Sequence, residues 1–408
     1  MAAILVLTGT AARAAGTDAE ISRLIETARR MNPEAQVRAL EADATASRVE
    51  AAGALDDPKF KTELMIPRSM PGYLPGRRAG EELYQIRQML PLWGKRELKR
   101  GIAEWDSRKA RALQAEVENQ ISYRVKVAYA EYHAAHLAVD ETRGLLGTMG
   151  RLADLARIRY AQGPGKQQDV TGATAERGTL MAEVARMEAD RRRAQVRLNG
   201  LLARAPDTPL PSKPQPRAVP AVETLSVAAL LERAMLDSPV IRAQQAQIQS
   251  ADTSRQLVDR NWYPDLELGV GAVRRDGRFE AYQAMIEFNI PLQIDRRRAE
   301  RREAAAMTGS ARAKLDQVRL EVTSELHEAH AMLGALRERK RILREVTLPQ
   351  ARVAVESAMR GYELAREEVS SVLLAQQTLR RAIVESVTVT FEEQVRLAEI
   401  ERLIGGEL

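Results

Sequence analysis

The sequence predicts a mainly α-helical fold with a smaller β portion, on three observations. Two long stretches, 95–162 and 293–364, hold almost no helix breaker. Four strand-length segments alternate apolar with polar side chains. And the chain repeats itself: "QMLPLWGKREL" at 88–98 is answered by "FNIPLQIDRRR" at 288–298.

The repeat extends well beyond that echo. Asn32-Pro33 answers Ser238-Pro239, and Asp57-Pro58 answers Tyr263-Pro264, both at a spacing of 206. Tyr160 and Tyr362 lie 202 apart, and "RLNGLL" (197–202) faces "EIERLIG" (399–405). The halves are therefore 15–203 and 223–408. Between them, 204–222 begins with "RAPDTPLPSKPQPRAVP", whose six prolines forbid helix and make a stiff, extended linker.

Each half reads helix, strand, strand, long helix, turn, helix. The leading helices span 18–53 and 224–258. The strands are 58–67 and 82–91 in the first half, 264–273 and 281–290 in the second. Asp276-Gly277 is a tight hairpin turn, whereas the first hairpin carries a long loop with Pro71, Gly72, Pro75 and Gly76. In the second half Tyr282, Ala284, Ile286, Phe288 and Ile290 share one face, against Gln283, Glu287 and Asn289 on the other. Ten residues suit a tilted strand crossing a bilayer, and equally a half-buried soluble hairpin. If these strands meet lipid, four cannot close a barrel, so several chains must pool them.

The long helices, 95–162 and 293–364, carry heptad-like spacing: Leu315, Val322, Ala329 and Leu336, with Val318 and Met332 on the adjoining row. Pro349 should kink the second of them. Shorter helices follow at 166–202 and 367–404. Only 4% of the chain is aromatic, against 45% apolar and 29% charged, as narrow helices rich in Ala, Leu and Val would require. No apolar run is long enough for a membrane-spanning helix. With no cysteine, disulfides and thiolate metal sites are excluded. A net charge of +6, with 62 basic and 56 acidic residues interleaved, gives no reason to expect nucleic acid. Residues 1–14 read as the remnant of a secretory signal peptide, ending in the small-x-small site Ala12-Arg13-Ala14.

Taken in order, the duplicated helix–hairpin–helix plan, the strand ends "LPL" and "IPL", and the helix turns "RYAQGPGKQQDV" (159–170) and "GYELAREEVSSVLLAQQTL" (361–379) resemble the TolC-type outer-membrane efflux family. The resemblance covers roughly 18 to 405, and "LPQARVAVESAMRGYELA" (348–365) adds to it. It implies a homotrimer whose three chains of four strands close one 12-stranded outer-membrane β-barrel, continued by a long periplasmic α-helical barrel. It further implies an exit duct working with a periplasmic adaptor (membrane fusion protein) and an inner-membrane RND-type pump. "WGKRELKR" and the stretch from "LPQA" to "IERLIGG" look more like the metal-cation branch than the antibiotic branch, with a multidrug duct or a type I protein-secretion channel as alternatives. From another class, a structural coiled coil or a periplasmic adaptor competes; neither explains two strand hairpins embedded in helix.

The same resemblance places the closed periplasmic tip at the two helix turns. Asp169 and Val170 occupy the gate positions of the first, and Ser371, Val372 and Leu374 those of the second. Relatives often carry aspartate where this chain has Ser371 and Leu374, so a double acidic ring is not expected; Asp169 serves either as gate or as helix cap. Gly163, Gly165, Leu373 and Ala375 fall where family tips dock an adaptor. Two histidine pairs, His133/His136 and His327/His330, sit at i,i+3 and could hold a soft metal or simply pack on their helices. The basic runs 94–100 and 295–302 would meet outer-membrane lipid phosphates or water. No cofactor and no catalytic constellation is expected.

Overall fold

A computed structural model describes residues 19–65, 81–220, 225–275 and 277–408. The proposed signal remnant at 1–14 and the long first-hairpin loop lie outside them. The chain forms two compact units, and each draws on both sequence repeats. One comprises Arg38–Gln114 and Pro239–Val318; the other comprises Met1–Val37, Ala115–Ser238 and Arg319–Leu408.

Helix α1 spans 19–31, and α2 spans Pro33–Gly53. The continuous helix read over 18–53 is thus broken, because Pro33 has no N–H to carry the ladder through. It begins α2 instead, and Asn32 caps that start, its Oδ1 accepting from the Glu34 N–H at 2.9 Å. The second copy does the same: α5 (Val227–Asp237) stops at Ser238, and Pro239 opens α6 (Pro239–Arg260).

In the first unit, β1 (Lys59–Met65), β2 (Glu81–Leu90), β3 (Leu266–Arg275) and β4 (Arg278–Phe288) form one antiparallel sheet in that order. The repeats meet through β2 and β3, paired from Glu81↔Arg275 to Leu90↔Leu266. Arg275 pairs with Arg278 across the expected two-residue turn, where Gly277 takes a φ of 82°. Register fixes the faces. Phe60, Ile86, Val270 and Ala284 form one cross-strand row; Lys61, Gln85, Gly271 and Gln283 form the row behind it. A Cβ on Gly271 would lie 2.6 Å from the Tyr84 carbonyl oxygen, so the polar row is closely drawn there. The apolar face is uncovered: Tyr282 is 91% exposed, Ile286 71% and Val270 67%.

Helix α3 runs from Lys95 to Ala161 and α4 from Gln167 to Leu201. The second long stretch, read as one helix over 293–364, is α7 (Ile294–Ile342), a π-helical turn (Leu343–Thr347) and α8 (Leu348–Glu363). Pro349 causes this: its ring would press on the carbonyl four residues earlier, and a widened turn makes room. The last helix, α9, spans Val369–Ile404 and ends on Gly405 in the left-handed conformation. On α7 the buried stripe is Leu315, Val318, Val322, Leu326, Ala329, Leu333 and Leu336. Met332 is 44% exposed, so the expected adjoining row passes through Leu326 and Leu333 instead. Spacings of three and four residues keep the stripe on one side of a 3.6-residue helix.

The second unit packs apolar clusters that join its helices, a small one of Leu336, Leu343 and Val389 beside two larger ones. One gathers Met149, Leu152 and Ala156 of α3 with Ala173 and Leu180 of α4, Val355 and Tyr362 of α8, and Val372 and Leu379 of α9. The other joins Ile21, Ile25 and Ala28 of α1 to Ile121, Val125 and Tyr129 of α3 and Leu198 of α4. Alanines at the contacts let backbones approach closely.

The proline-rich linker is strapped down rather than loose. Having few N–H groups, it offers carbonyls, and helix side chains donate to them. Tyr132 reaches Pro211 at 3.0 Å, Asn199 reaches Pro206 at 2.9 Å, Gln394 reaches Arg217 at 3.1 Å, and Arg337 reaches Pro220 at 2.9 Å. Arg217 in turn grips Glu401 with two bonds of 2.7 and 2.8 Å, and Lys126 adds a third at 2.9 Å.

Candidate functional site

The turn from α3 to α4 and the turn from α8 to α9 follow the same backbone course at a spacing of 202. Gly163 and Ala365 are both left-handed, at φ 100° and 60°. Their N–H groups donate to Tyr160 and Tyr362 carbonyls at 3.2 and 3.1 Å. In the second turn the Arg366 N–H closes the helix end onto the Gly361 carbonyl at 2.9 Å. The equivalent residue in the first turn is Pro164, which has no N–H, so only the next bond is kept there: Gly165 donates to the Arg159 carbonyl at 3.1 Å, as Glu367 does to Gly361 at 3.2 Å.

Each turn therefore needs a close approach, and each provides it with one glycine at a different place. A Cβ on Gly165 would lie 2.5 Å from the Tyr160 nitrogen; a Cβ on Gly361 would lie 2.5 Å from the Glu367 Cγ. Beyond the turns, Lys166 and Glu368 are the N-cap residues of α4 and α9, both extended, and their side chains pair at 2.9 Å. Arg159 ties the two turns from below: it donates to the Tyr362 carbonyl at 2.7 Å and stacks under that ring at 4.6 Å.

The residues expected at the tip divide by burial. Asp169 is half-buried in the first turn of α4; the cap itself is Lys166, so Asp169 does not serve as the cap. It lies close enough to Tyr362 that burial and this carboxylate together push the tyrosine hydroxyl above its usual range. Val372 is fully buried, and Val170, Leu373 and Ala375 pack against the same cluster. Ser371 is half-buried, Gly163 is exposed, and Leu374 is 67% exposed. Leu373 faces Gly172 across the turns, 3.9 Å from where a Cβ would sit.

The histidine pairs do not converge on a metal. His330 Nε2 is engaged with the Leu225 carbonyl at 2.8 Å, and His327 Nδ1 with the Thr323 carbonyl of its own helix at 2.8 Å. His136 stacks edge-on against Tyr132 at 4.5 Å. Burial, then the neighbouring His136 and Lys340, hold His133 down at about 4. Among the described residues, no group of three or more His, Asp or Glu side chains could hold a metal ion.

In the unit that carries the sheet, the passage from β2 into α3 is fixed by Trp93 and Gly94, both left-handed at φ 65° and 73°. Trp93 packs on Tyr263 at 5.1 Å and donates to the Pro264 carbonyl at 2.9 Å. Lys95, nearly buried, donates to the Tyr263 carbonyl and to Asp265, each at 2.8 Å. Half-exposed aromatics beside an apolar sheet face are what an interfacial belt requires. On the polar face Arg87 stands between Glu267 and Glu287, at 4.0 and 3.7 Å. The 202 spacing of Tyr160 and Tyr362 was the signal for Arg159, Lys166 and Glu368, which sequence reading passed over.

Comparison with known proteins agrees with this geometry. Residues 24–204 and 230–406 match the family described as Outer membrane efflux protein. The chain is 26% identical over 377 residues to the cobalt-zinc-cadmium resistance protein CzcC of Cupriavidus metallidurans, covering 90% of this chain and 85% of the relative. The fold is similar to that of the outer membrane protein VceC of Vibrio cholerae, with a TM-score of 0.80 and 19% identity over 95% and 97% of the two chains. It is also similar to CusC, with a TM-score of 0.79 and 15% identity over 95% and 92%. Two matched repeats, a four-stranded sheet and paired helix turns place the chain in the outer membrane efflux protein family, as a channel rather than an enzyme.

Proposed function

We propose that three copies of this chain form the outer-membrane exit duct of a tripartite efflux pump whose substrates are heavy-metal cations. The observation that carries the assembly is the sheet. Its apolar face is bare, and among the described residues β1 and β4 end it as unpaired edges. Lipid tolerates no open edge, and three sheets of four strands close one barrel of twelve. The β-barrel lies in the outer membrane and the helices continue it through the periplasm. Transport there is passive, so the driving energy comes from an inner-membrane RND-type pump through a periplasmic adaptor. The likeness to a cobalt-zinc-cadmium resistance protein supports the choice of substrate.

At the tip, Asp169 and the exposed Leu374 narrow the pore, one as a charged and one as an apolar constriction, with Ser371 beside them. Val372 and Val170 serve packing, since they lie in the core that holds the turns. The adaptor docks around Gly163 and Gly165, with Leu373 and Ala375 shaping the surface behind them.

The substrate is tested by growth of a deletion strain, with and without the gene restored, on cobalt, zinc and cadmium salts and on dyes and antibiotics. Metal sensitivity alone, reversed by the gene, is the expected result. Sensitivity to organic compounds alone would establish a multidrug duct, and a secretion defect alone a protein-export channel. Detergent-extracted chain that sediments as a monomer would overturn the barrel.

A further inference from the structure

At the foot of the sheet, where β4 passes into α7, a cleft of about 530 Å³ opens beside Lys95, Arg296 and Arg297. We propose that it seats the phosphate headgroup of an anionic phospholipid from the periplasmic leaflet. The proposal rests on the outer-membrane placement of the sheet and adds a ligand that placement does not specify.

The charges in the cleft are unequal. Lys95 is matched by Asp265 at 2.8 Å and Arg296 by Glu300 at 2.9 Å. Arg297 has no carboxylate partner among the described residues; it donates one Nη1–H to the Asn261 carbonyl. Its Nε is buried and makes no hydrogen bond. A buried donor left unmade is costly, and a guanidinium is shaped to hold a phosphate through two parallel bonds. Asn261 and Asn289 bring further amide groups to the walls.

The rim says which phosphate source fits. Ile290 is 66% exposed and Leu292 79%, and both border the cleft. They continue the apolar row of β4, so acyl chains lying against the sheet bring their headgroup to the arginines. Of the exposed arginines on the following turns of α7, Arg298 is matched by Asp295 at 3.9 Å and Arg301 by Asp259 at 2.6 Å, which leaves Arg302 to draw anions towards the cleft. A free phosphate would need the cations but has no use for the apolar rim.

The test uses the full chain extracted from outer membranes in detergent. Phosphatidylglycerol, phosphatidylcholine and inorganic phosphate are each titrated in, with bound species counted by native mass spectrometry. Phosphatidylglycerol should bind at least about tenfold more tightly than phosphatidylcholine, and Arg297→Gln should lose about tenfold, as removal of a charged hydrogen-bonding group predicts. Arg193→Gln, on an exposed part of α4, should change nothing. Should Arg297→Gln fail to elute as folded protein, Arg296→Gln carries the test, because its side chain is solvent-exposed and its loss should weaken binding severalfold. Equal binding of the two lipids, or full binding by both arginine variants, would overturn the site. Displacement of the lipid by equimolar inorganic phosphate would overturn the headgroup assignment. A chain absent from the outer-membrane fraction would instead remove the placement on which the site depends.

Discussion

Lys166 and Glu368 occupy the same position in two copies of one turn, 202 residues apart, and pair with each other at 2.9 Å. Each is the N-cap of its helix and neither caps with its side chain. Their charges serve the contact between turns instead. Both are well exposed, at 67% and 70%, so the pair adds little to stability. Glu368→Gln should leave the apparent Tm of the detergent-extracted chain unchanged, while Glu368→Lys, setting two ammonium groups face to face, should raise single-channel conductance in a planar bilayer. Exchanging both charges should restore the original conductance. A double exchange that conducts like the single reversal would show that the pair does not hold the turns.

Glu401 is a different case, because it is buried between Arg217 and Lys126. Burial alone would raise its pKa, but the two cations overcome that and hold it below the usual carboxylate value. A depressed carboxylate pKa contributes stability that is present above the unfolded-state value and lost as pH falls through the folded-state one. Glu401→Gln at pH 7 leaves Arg217 uncompensated and Lys126 with only Glu407, 3.7 Å away, and should cost about 3–5 kcal/mol. Urea unfolding of the variant should lose the acid-dependent part that the parent shows. Equal midpoints at pH 7 would contradict this.

His133 works in the same direction as Glu401, in a higher pH window. Its folded-state pKa is about 4, against 6.5 for the free side chain. The unfolded chain therefore binds the extra proton first, and stability falls as pH drops from about 6.5 towards 4 by at most about 3 kcal/mol. His133→Gln should flatten that part of a Tm-versus-pH curve. A variant that declines as steeply as the parent would place the sensitivity elsewhere.

The two turn glycines should differ in cost. At Gly165 an added Cβ meets backbone, which cannot move without opening the turn; at Gly361 it meets the Cγ of Glu367, which a change of rotamer can carry aside. Gly165→Ala should destabilise by about 1–3 kcal/mol and Gly361→Ala by less. Thermal melts of both variants, compared with the parent, decide it. The reverse order would mean that the turn around Gly165 yields more easily than the side chain of Glu367.

Periodicity made most of the fold legible. Strand length, the Asp276-Gly277 turn and the faces of β4 were readable because a period of two leaves one arrangement for a half-bare sheet. The helix breaks at Pro33 and Pro239 were visible as a repeated dipeptide yet passed over, since the flanking pattern stays helical on both sides. Pro349 announced a disturbance, but whether a helix kinks or widens depends on neighbours that one strand of sequence does not name. The expectation of a tip at the two helix turns came from the family resemblance rather than from periodicity. Which tip residues face outward was not readable: Val372 and Leu374 are two positions apart, alike in chemistry, and one is buried while the other is 67% exposed. Arg159, Glu401 and Arg297 matter through partners distant in the chain, and a charge carries no periodic trace of its partner.

The displaced glycines of the two turns carry a lesson for anyone recombining the halves. Position 159 bears a side chain where its twin at 361 does not, and 165 lacks one where its twin at 367 has it. A chimera cut inside either turn can unite Arg159 with a glutamate at 165, leaving both crossing positions occupied and no room for the chain to pass. The converse cut leaves two glycines and a slack joint. Each seven-residue crossing is inherited whole, so crossover points between duplicated halves belong on the helices at either side.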